Sequence, residues 1–190
     1  MKFMSAIARG SACLAALCLA GAGLAEGAVE TSLLLDEGNR IILEFEFGEH
    51  QSRNVNIMGA DYREIWIPSE PVHLEKGSPS LPHVNRSIII PGDAMMTVKV
   101  LESDFRESYA LIAPSKGNLS RSVDPARVPY EFGSAYQTNT FFPRDLATLH
   151  EPYILRDHRG IVLQVNPFQY NPVTQVLREY SRVKLSLIHI

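Results

Sequence analysis

Beyond residue 25 the sequence contains no cysteine: the two it has, Cys13 and Cys18, both fall in the first 25 of its 190 residues. That absence excludes a disulfide framework, a thiolate nucleophile and a cysteine-ligated metal from everything downstream. Stability there must come from a packed core, and about 165 residues are enough to build one. Long apolar runs are also lacking, apart from Ala12 to Ala22, which is too short and too alanine-rich to span a bilayer. Lys2 and Arg9 precede this run and Gly23-Leu24-Ala25 follows it, in signal-peptide order. Cleavage is expected after Ala25, with Ala20-Gly21-Ala22 as a second site. Leu17 before Cys18 stands where a lipoprotein box wants a small residue, and Cys13 lies too near the start to serve. The expected organisation is a signal peptide over 1–25 and one secreted domain over 26–190, with no membrane span after cleavage.

An excess of positive charge is missing too. Eighteen Lys and Arg stand against 21 Asp and Glu, for a net charge of −3. Removing Lys2 and Arg9 takes this to about −5, because the first 25 residues hold no carboxylate. Without a basic stripe there is no sequence-independent attraction to phosphate backbones, which excludes nucleic acid as a partner.

The motifs of common chemistries are likewise absent. There is no HExxH, no glycine-rich phosphate loop and no GxSxG elbow. His50, His73, His83, His150, His158 and His189 show no metal-ligand spacing, so neither metal nor cofactor is expected. His158, in Asp157-His158-Arg159-Gly160, reads as a surface histidine at a polar hairpin tip. Asn85-Arg86-Ser87 and Asn118-Leu119-Ser120 match the glycosylation acceptor, which matters only in a eukaryotic secretory route. A triad assembled from distant positions is a third-ranked reading, since no serine sits in a nucleophile context.

What the sequence does have is short β-rich runs punctuated by its 12 prolines. Ile41 to Phe47 alternates so that Leu43, Phe45 and Phe47 share a face. Tyr62 to Ile67 stops at Pro68, and Ser87 to Ile90 stops at Pro91-Gly92. Met95 to Leu101 alternates, with Met96, Val98 and Val100 opposite Thr97 and Lys99. Gly160 to Phe168 and Val173 to Leu187 are longer strand candidates, joined through Gln169-Tyr170-Asn171-Pro172 as a hairpin connection. Phe45, Ile89, Val98, Val162 and Val165 are the expected inward positions. Helical periodicity is poor, with one turn possible over Leu146 to His150. Many short strands at roughly ten-residue spacing predict an all-β fold, an antiparallel two-sheet β-sandwich of jelly-roll-like type.

One segment differs. Ala113 to Pro143 carries Pro114, Gly117, Pro125, Pro129, Gly133 and Pro143 among Ser, Asn and basic residues. A connection this long is either functional or an ordered crossover.

Three stretches carry a family resemblance. Gly77-Ser78-Pro79-Ser80-Leu81-Pro82 leads into a strand that ends at Pro91. Ala113-Pro114-Ser115-Lys116-Gly117 runs on to Val128-Pro129-Tyr130. Pro152 to Asp157 with Arg159-Gly160 continues to Asn166-Pro167-Phe168-Gln169-Tyr170-Asn171-Pro172. Over about residues 74–187 the chain resembles the propeptide of gingipain-type cysteine peptidases. The motif residues are Gly77, Pro79, Leu81, Pro82, Pro91, Pro167, Phe168, Tyr170, Asn171 and Pro172. The resemblance implies a secreted pro-region that keeps its peptidase latent and assists its folding, and whose partner is the cognate gingipain-type peptidase domain, in cis or as a separate chain. No catalytic residue is expected in this chain, which would be the N-terminal part of a longer precursor. A peptidase that cleaves after basic residues would need its acidic pocket filled, and Lys116, Arg121 and Arg127 are the candidates, Arg121 first because Ser120 and Ser122 leave it unobstructed. The competing reading is an extracellular adhesion or carbohydrate-binding module, with Trp66 and Tyr62, or Tyr130, Phe132 and Tyr136, as a stacking platform.

Overall fold

The computed structural model describes residues 29–189 except 38, 93 and 94, so the expected signal peptide and both cysteines lie outside the described residues. Eleven strands follow in order among the described residues: β1 (Val29–Glu37), β2 (Arg40–Phe47), β3 (Gln51–Ile57), β4 (Ala60–Trp66), β5 (Val84–Ile90), β6 (Met96–Tyr109), β7 (Ala147–Leu149), β8 (Tyr153–Leu155), β9 (His158–Val165), β10 (Phe168–Asn171) and β11 (Val176–His189). All strand pairs are antiparallel, and the described residues contain no α-helix.

Strand β11 is the spine of the larger sheet. It pairs with β2 and β10 along one edge and with β6 along the other, while β1 extends the sheet beyond β2. The register sets Leu185 opposite Leu43 and Val183 opposite Phe45, so the alternating apolar positions of two strands arrive on one face. The smaller sheet is built on β9, flanked by β5 on one side and by β7 and β8 on the other. Its Val84, Leu163 and Val165 pack against Leu43, Phe45, Val183, Leu185 and Leu187 of the larger sheet. This layer makes the chain a β-sandwich. Each fully buried Val, Leu or Phe in it contributes about 1.5–3 kcal/mol by leaving water.

A second core lies at one end of the sandwich. There Ile65 and Ile67 of the β3–β4 hairpin meet Leu81, Ile112, Phe168, Tyr170 and Leu177. It fastens the hairpin and the two long loops, 67–83 and 110–146, to the end of β10 and β11.

Several sequence expectations shift. Leu146 to His150 forms β7, a strand and not a helical turn, because Ala147 to Leu149 complete the edge of β9. Gln169 to Asn171 are strand β10, paired with Val176 to Arg178, and the hairpin turn falls at residues 172–175, where Asn171 Oδ1 accepts from the Val173 and Thr174 amides. Phe45 and Val165 are fully buried as expected, but Val98 and Val162 are half-buried and Ile89 is 71% exposed. Strand β5 turns Val84, Ile88 and Ile90 toward the interior, and period-two alternation puts Ile89 on the outer face. Strand β1, whose Leu33 to Leu35 run does not alternate, and β3, with only Val55 and Ile57 apolar, were not expected from the sequence, and each pairs with its hairpin partner.

Candidate functional site

The long segment between β6 and β7 is ordered from its base upward. Its first residues lie in a cradle made by the Gly77–Pro82 motif. Ser80 donates its backbone N–H to Ala113 O at 3.0 Å, Ser115 to Ser78 O at 2.8 Å, and Gly77 to Ser115 O at 2.9 Å. Pro79 and Pro114 sit opposite each other in this bridge, where neither has an N–H to lose. Further along, the Gly133 N–H returns to Gly77 O at 2.9 Å, and the Lys76 ammonium pairs with Glu131 at 2.9 Å. Segment 76–80 thus clamps both ends of an excursion that runs from 116 to 131.

Within the excursion, Lys116 points inward. Its Nζ donates to Pro125 O at 2.8 Å and stands 4.1 Å from the centroid of the Tyr130 ring. The Tyr130 hydroxyl in turn donates to Glu64 Oε1 at 2.6 Å, and Arg53 holds the other oxygen of that carboxylate. Burial and then the Glu64 carboxylate push the Tyr130 phenol up to about 12, so it stays a donor across the physiological range. Asp124 Oδ1 accepts from the Ala126 N–H at 2.9 Å and starts the short 3-10 turn Pro125–Arg127, with proline at its first position. Arg127 is exposed and pairs loosely with Asp124 at 3.7 Å.

Arg121 lies on an exposed turn. Val123 N–H donates to Ser120 O at 2.9 Å, which makes 120–123 a tight turn with Arg121 as its first central residue. The hydroxyls of Ser120 and Ser122 lie 3.1 Å apart beneath it. Arg121 is exposed and makes no hydrogen bond or ion pair among the described residues. Of the three expected basic residues, Lys116 is held against Pro125 and Tyr130, Arg127 is exposed with a long contact to Asp124, and Arg121 is exposed on a turn.

The motif residues fall into two supporting roles. Gly77 (φ +82°), Pro79, Leu81 and Pro82 build the cradle and its buried edge. Phe168, Tyr170 and Asn171 hold the far end of the segment: Phe142 and Tyr170 exchange two backbone hydrogen bonds at 2.8 Å, and Asn171 Nδ2 donates to Asn139 Oδ1 at 2.9 Å, while the Pro167 carbonyl accepts from the Tyr180 N–H of β11. Pro172 opens the following hairpin turn, and Pro91 ends β5. The sequence reading overlooked Glu64, Glu131 and Lys76, because Lys76 and Glu131 are partners 55 residues apart and Glu64 meets Tyr130 66 residues away.

Of the expected aromatic platform, Tyr62, Trp66, Tyr130 and Tyr136 are half-buried and Phe132 is 36% exposed. Tyr62, Phe132, Tyr136 and Tyr170 form a chain of rings with centroids 4.8 to 6.4 Å apart, and the Tyr136 hydroxyl donates to Ile112 O at 2.7 Å. These rings meet tilted or edge-to-face, and Tyr136 and Tyr170 pack into the second core, so they do not form a flat row of parallel faces. Among the described residues no group of three His, Asp or Glu is placed to hold a metal.

Residues 30–189 match the Propeptide_C25 family model. Gingipain R1 of Porphyromonas gingivalis is 46% identical over 114 residues, which cover 60% of this chain and 12% of that protein. The chain spans between 7% and 16% of the length of the curated relatives it matches. In the solved complex of Porphyromonas gingivalis RgpB pro- and mature domains, one chain is 36% identical, with a TM-score of 0.80 over 84% of this chain and 85% of that one. A structure concerning the zymogenic latency of gingipain K from the same organism has the same fold, with a TM-score of 0.70 at 23% identity.

Proposed function

The chain belongs to the Propeptide_C25 family, and from that membership we propose that it is the pro-region holding a gingipain-type cysteine peptidase latent, exported behind a signal peptide cleaved after Ala25. The domain over 26–190 is the inhibitory unit in this reading, and its partner is the peptidase domain of the same precursor or of a separate chain. The observation that carries the reading is the likeness of nearly the entire described chain to a pro-domain solved together with its mature domain. The loop geometry supports it. A turn clamped at its base and braced by Lys116 presents Arg121 at little ordering cost, as a pocket-filling inhibitor requires.

Arg121 would enter an acidic specificity pocket, its guanidinium bidentate on a carboxylate. The chain supplies no nucleophile of its own to such a complex and acts by occupying the cleft. The test is an inhibition assay: the purified chain beginning at Glu26 is titrated against a gingipain-type peptidase with a basic-residue substrate. Activity should fall to zero at a stoichiometric ratio. Full activity at a hundredfold excess of a folded chain would overturn the reading.

A further inference from the structure

Two histidines stand at the neck of the loop that forms the cradle. His73 donates its backbone N–H to Leu81 O at 2.9 Å and His83 donates its own to Pro71 O at 2.9 Å, so the two residues close the 71–83 loop around the Val72–Pro82 bridge. Their rings lie 4.6 Å apart. Between them hang Gly77, Ser78 and Ser80, the residues that seat the 113–133 segment.

The hydrogen bonds around the pair serve His73 and leave His83 Nδ1 without an acceptor among the described residues. His150 Nε2 lies 2.9 Å from Gln164 Oε1, Gln164 Nε2 donates to Asn166 Oδ1 at 3.1 Å, and His73 Nε2 lies 3.2 Å from that same oxygen. Asn166 is oriented by its own amide, which donates to Asp145 O at 2.7 Å. An acceptor oxygen facing each imidazole makes His150 and His73 donors at Nε2. His83 Nδ1 is buried and has no partner among the described residues. A proton added to His83 is therefore a charge beside a second imidazole, on a ring whose buried nitrogen has no acceptor. The other charged groups nearby do not neutralise it. Glu75 acts on His73, and Glu70 is already bound to Arg86 of β5 at 2.9 Å.

We propose that the His73–His83 pair is a proton-operated latch, which holds the cradle shut while both rings are neutral and opens it on acidification, loosening the seat of the 113–133 segment. The proposal rests on the functional reading above and gives that site a regulator. Burial, then His73, then His150 push His83 down to about 4, and burial lowers His73 as well, against Asn166 and Glu75. An unfolded or opened histidine titrates near 6.5. The closed form thus keeps its full advantage above about 6.5 and loses it as pH falls from there toward 4.

The test is hydrogen exchange followed by NMR on the chain alone, from pH 7.5 to pH 5, corrected for intrinsic rates. The amides of Gly77, Ser80, Ser115 and Gly133 should lose about tenfold in protection, allowing for the partial exposure of the rings, while those of Val183 and Leu185 hold. His83→Gln and His83→Phe should each reduce the pH dependence to the smaller share carried by His73, and two variants of different polarity guard against one that misfolds. Unchanged protection in the wild type, the same loss in both folded variants, or a parallel loss in the β11 amides would overturn the latch. No peptidase enters this experiment, so a chain that inhibits without a latch, or latches without inhibiting, separates the two claims.

Discussion

Gly133 donates its amide to the carbonyl of Gly77, and a Cβ built on Gly77 would come within 2.8 Å of that same nitrogen. Gly77 also has φ +82°, where an L side chain is strained. Two costs therefore fall on one position, and the displaced atom is backbone that cannot swing aside. Gly77→Ala should destabilise the fold by about 2–3 kcal/mol in urea unfolding. Gly59 has φ +86° in the β3–β4 turn but open space around its Cβ, so Gly59→Ala should cost only about 1 kcal/mol. Equal costs at the two sites would show that the close approach carries no weight.

Arg121→Ala should raise the inhibition constant against a gingipain-type peptidase tenfold or more, since losing one partner of a desolvated charge pair costs about 2–5 kcal/mol. Arg127→Ala should leave it within a factor of about two, as expected of an exposed rim charge. Lys116→Ala should fall between, acting through the loop brace: it removes the bond to Pro125 O and the contact over Tyr130. Three identical constants would remove Arg121 from the mechanism and turn attention to the strand edges.

Core truncations should separate by face. Phe45→Ala and Val165→Ala remove side chains with no exposure and should cost about 3–5 and 2–3 kcal/mol respectively. Ile89→Ala, on the outer face of β5, should change stability by less than about 0.5 kcal/mol. Chemical denaturation of the three variants checks this ordering.

Acid sensitivity should have a component at Glu179. Burial works to raise this carboxyl, but hydrogen bonds from His50 and Arg106 overcome it and hold the group near about 2, below its ordinary 4.5. Arg106 binds both carboxylate oxygens, at 2.9 and 3.0 Å, and His50 Nδ1 lies 3.2 Å from one of them. A depressed carboxyl stabilises the fold above its unfolded value and ceases to do so as pH falls through the folded one. Glu179→Gln should therefore cost roughly 1–2 kcal/mol at pH 6 after solvent screening, with the difference shrinking from pH 4.5 toward pH 2. A difference that stays constant over that interval would disprove the assignment.

The sequence alone determined the fold class. Alternation in Ile41–Phe47 and the β-rich runs from Gly160 to Phe168 and from Val173 to Leu187 identify strands because one face of each must leave water, and proline and glycine mark where each run must stop. The long segment after β6 was also legible, since no strand-forming run crosses it. Strands β1 and β3 were not, because the Leu33 to Leu35 run of β1 does not alternate and β3 has only Val55 and Ile57 apolar, so their hairpin pairing defines them. Nor was the outward turn of Ile89, which depends on β5 docking in one of two registers that local composition treats alike. Among the basic loop residues the sequence offered three equivalents and a preference resting only on small neighbours. Tertiary structure divided them by bringing Pro125 and Tyr130 to Lys116 and Asp124 to Arg127, while leaving Arg121 alone on a turn. The His73–His83 pair was invisible for the same reason: ten residues apart in the chain, the two rings meet only because a backbone bridge closes between them.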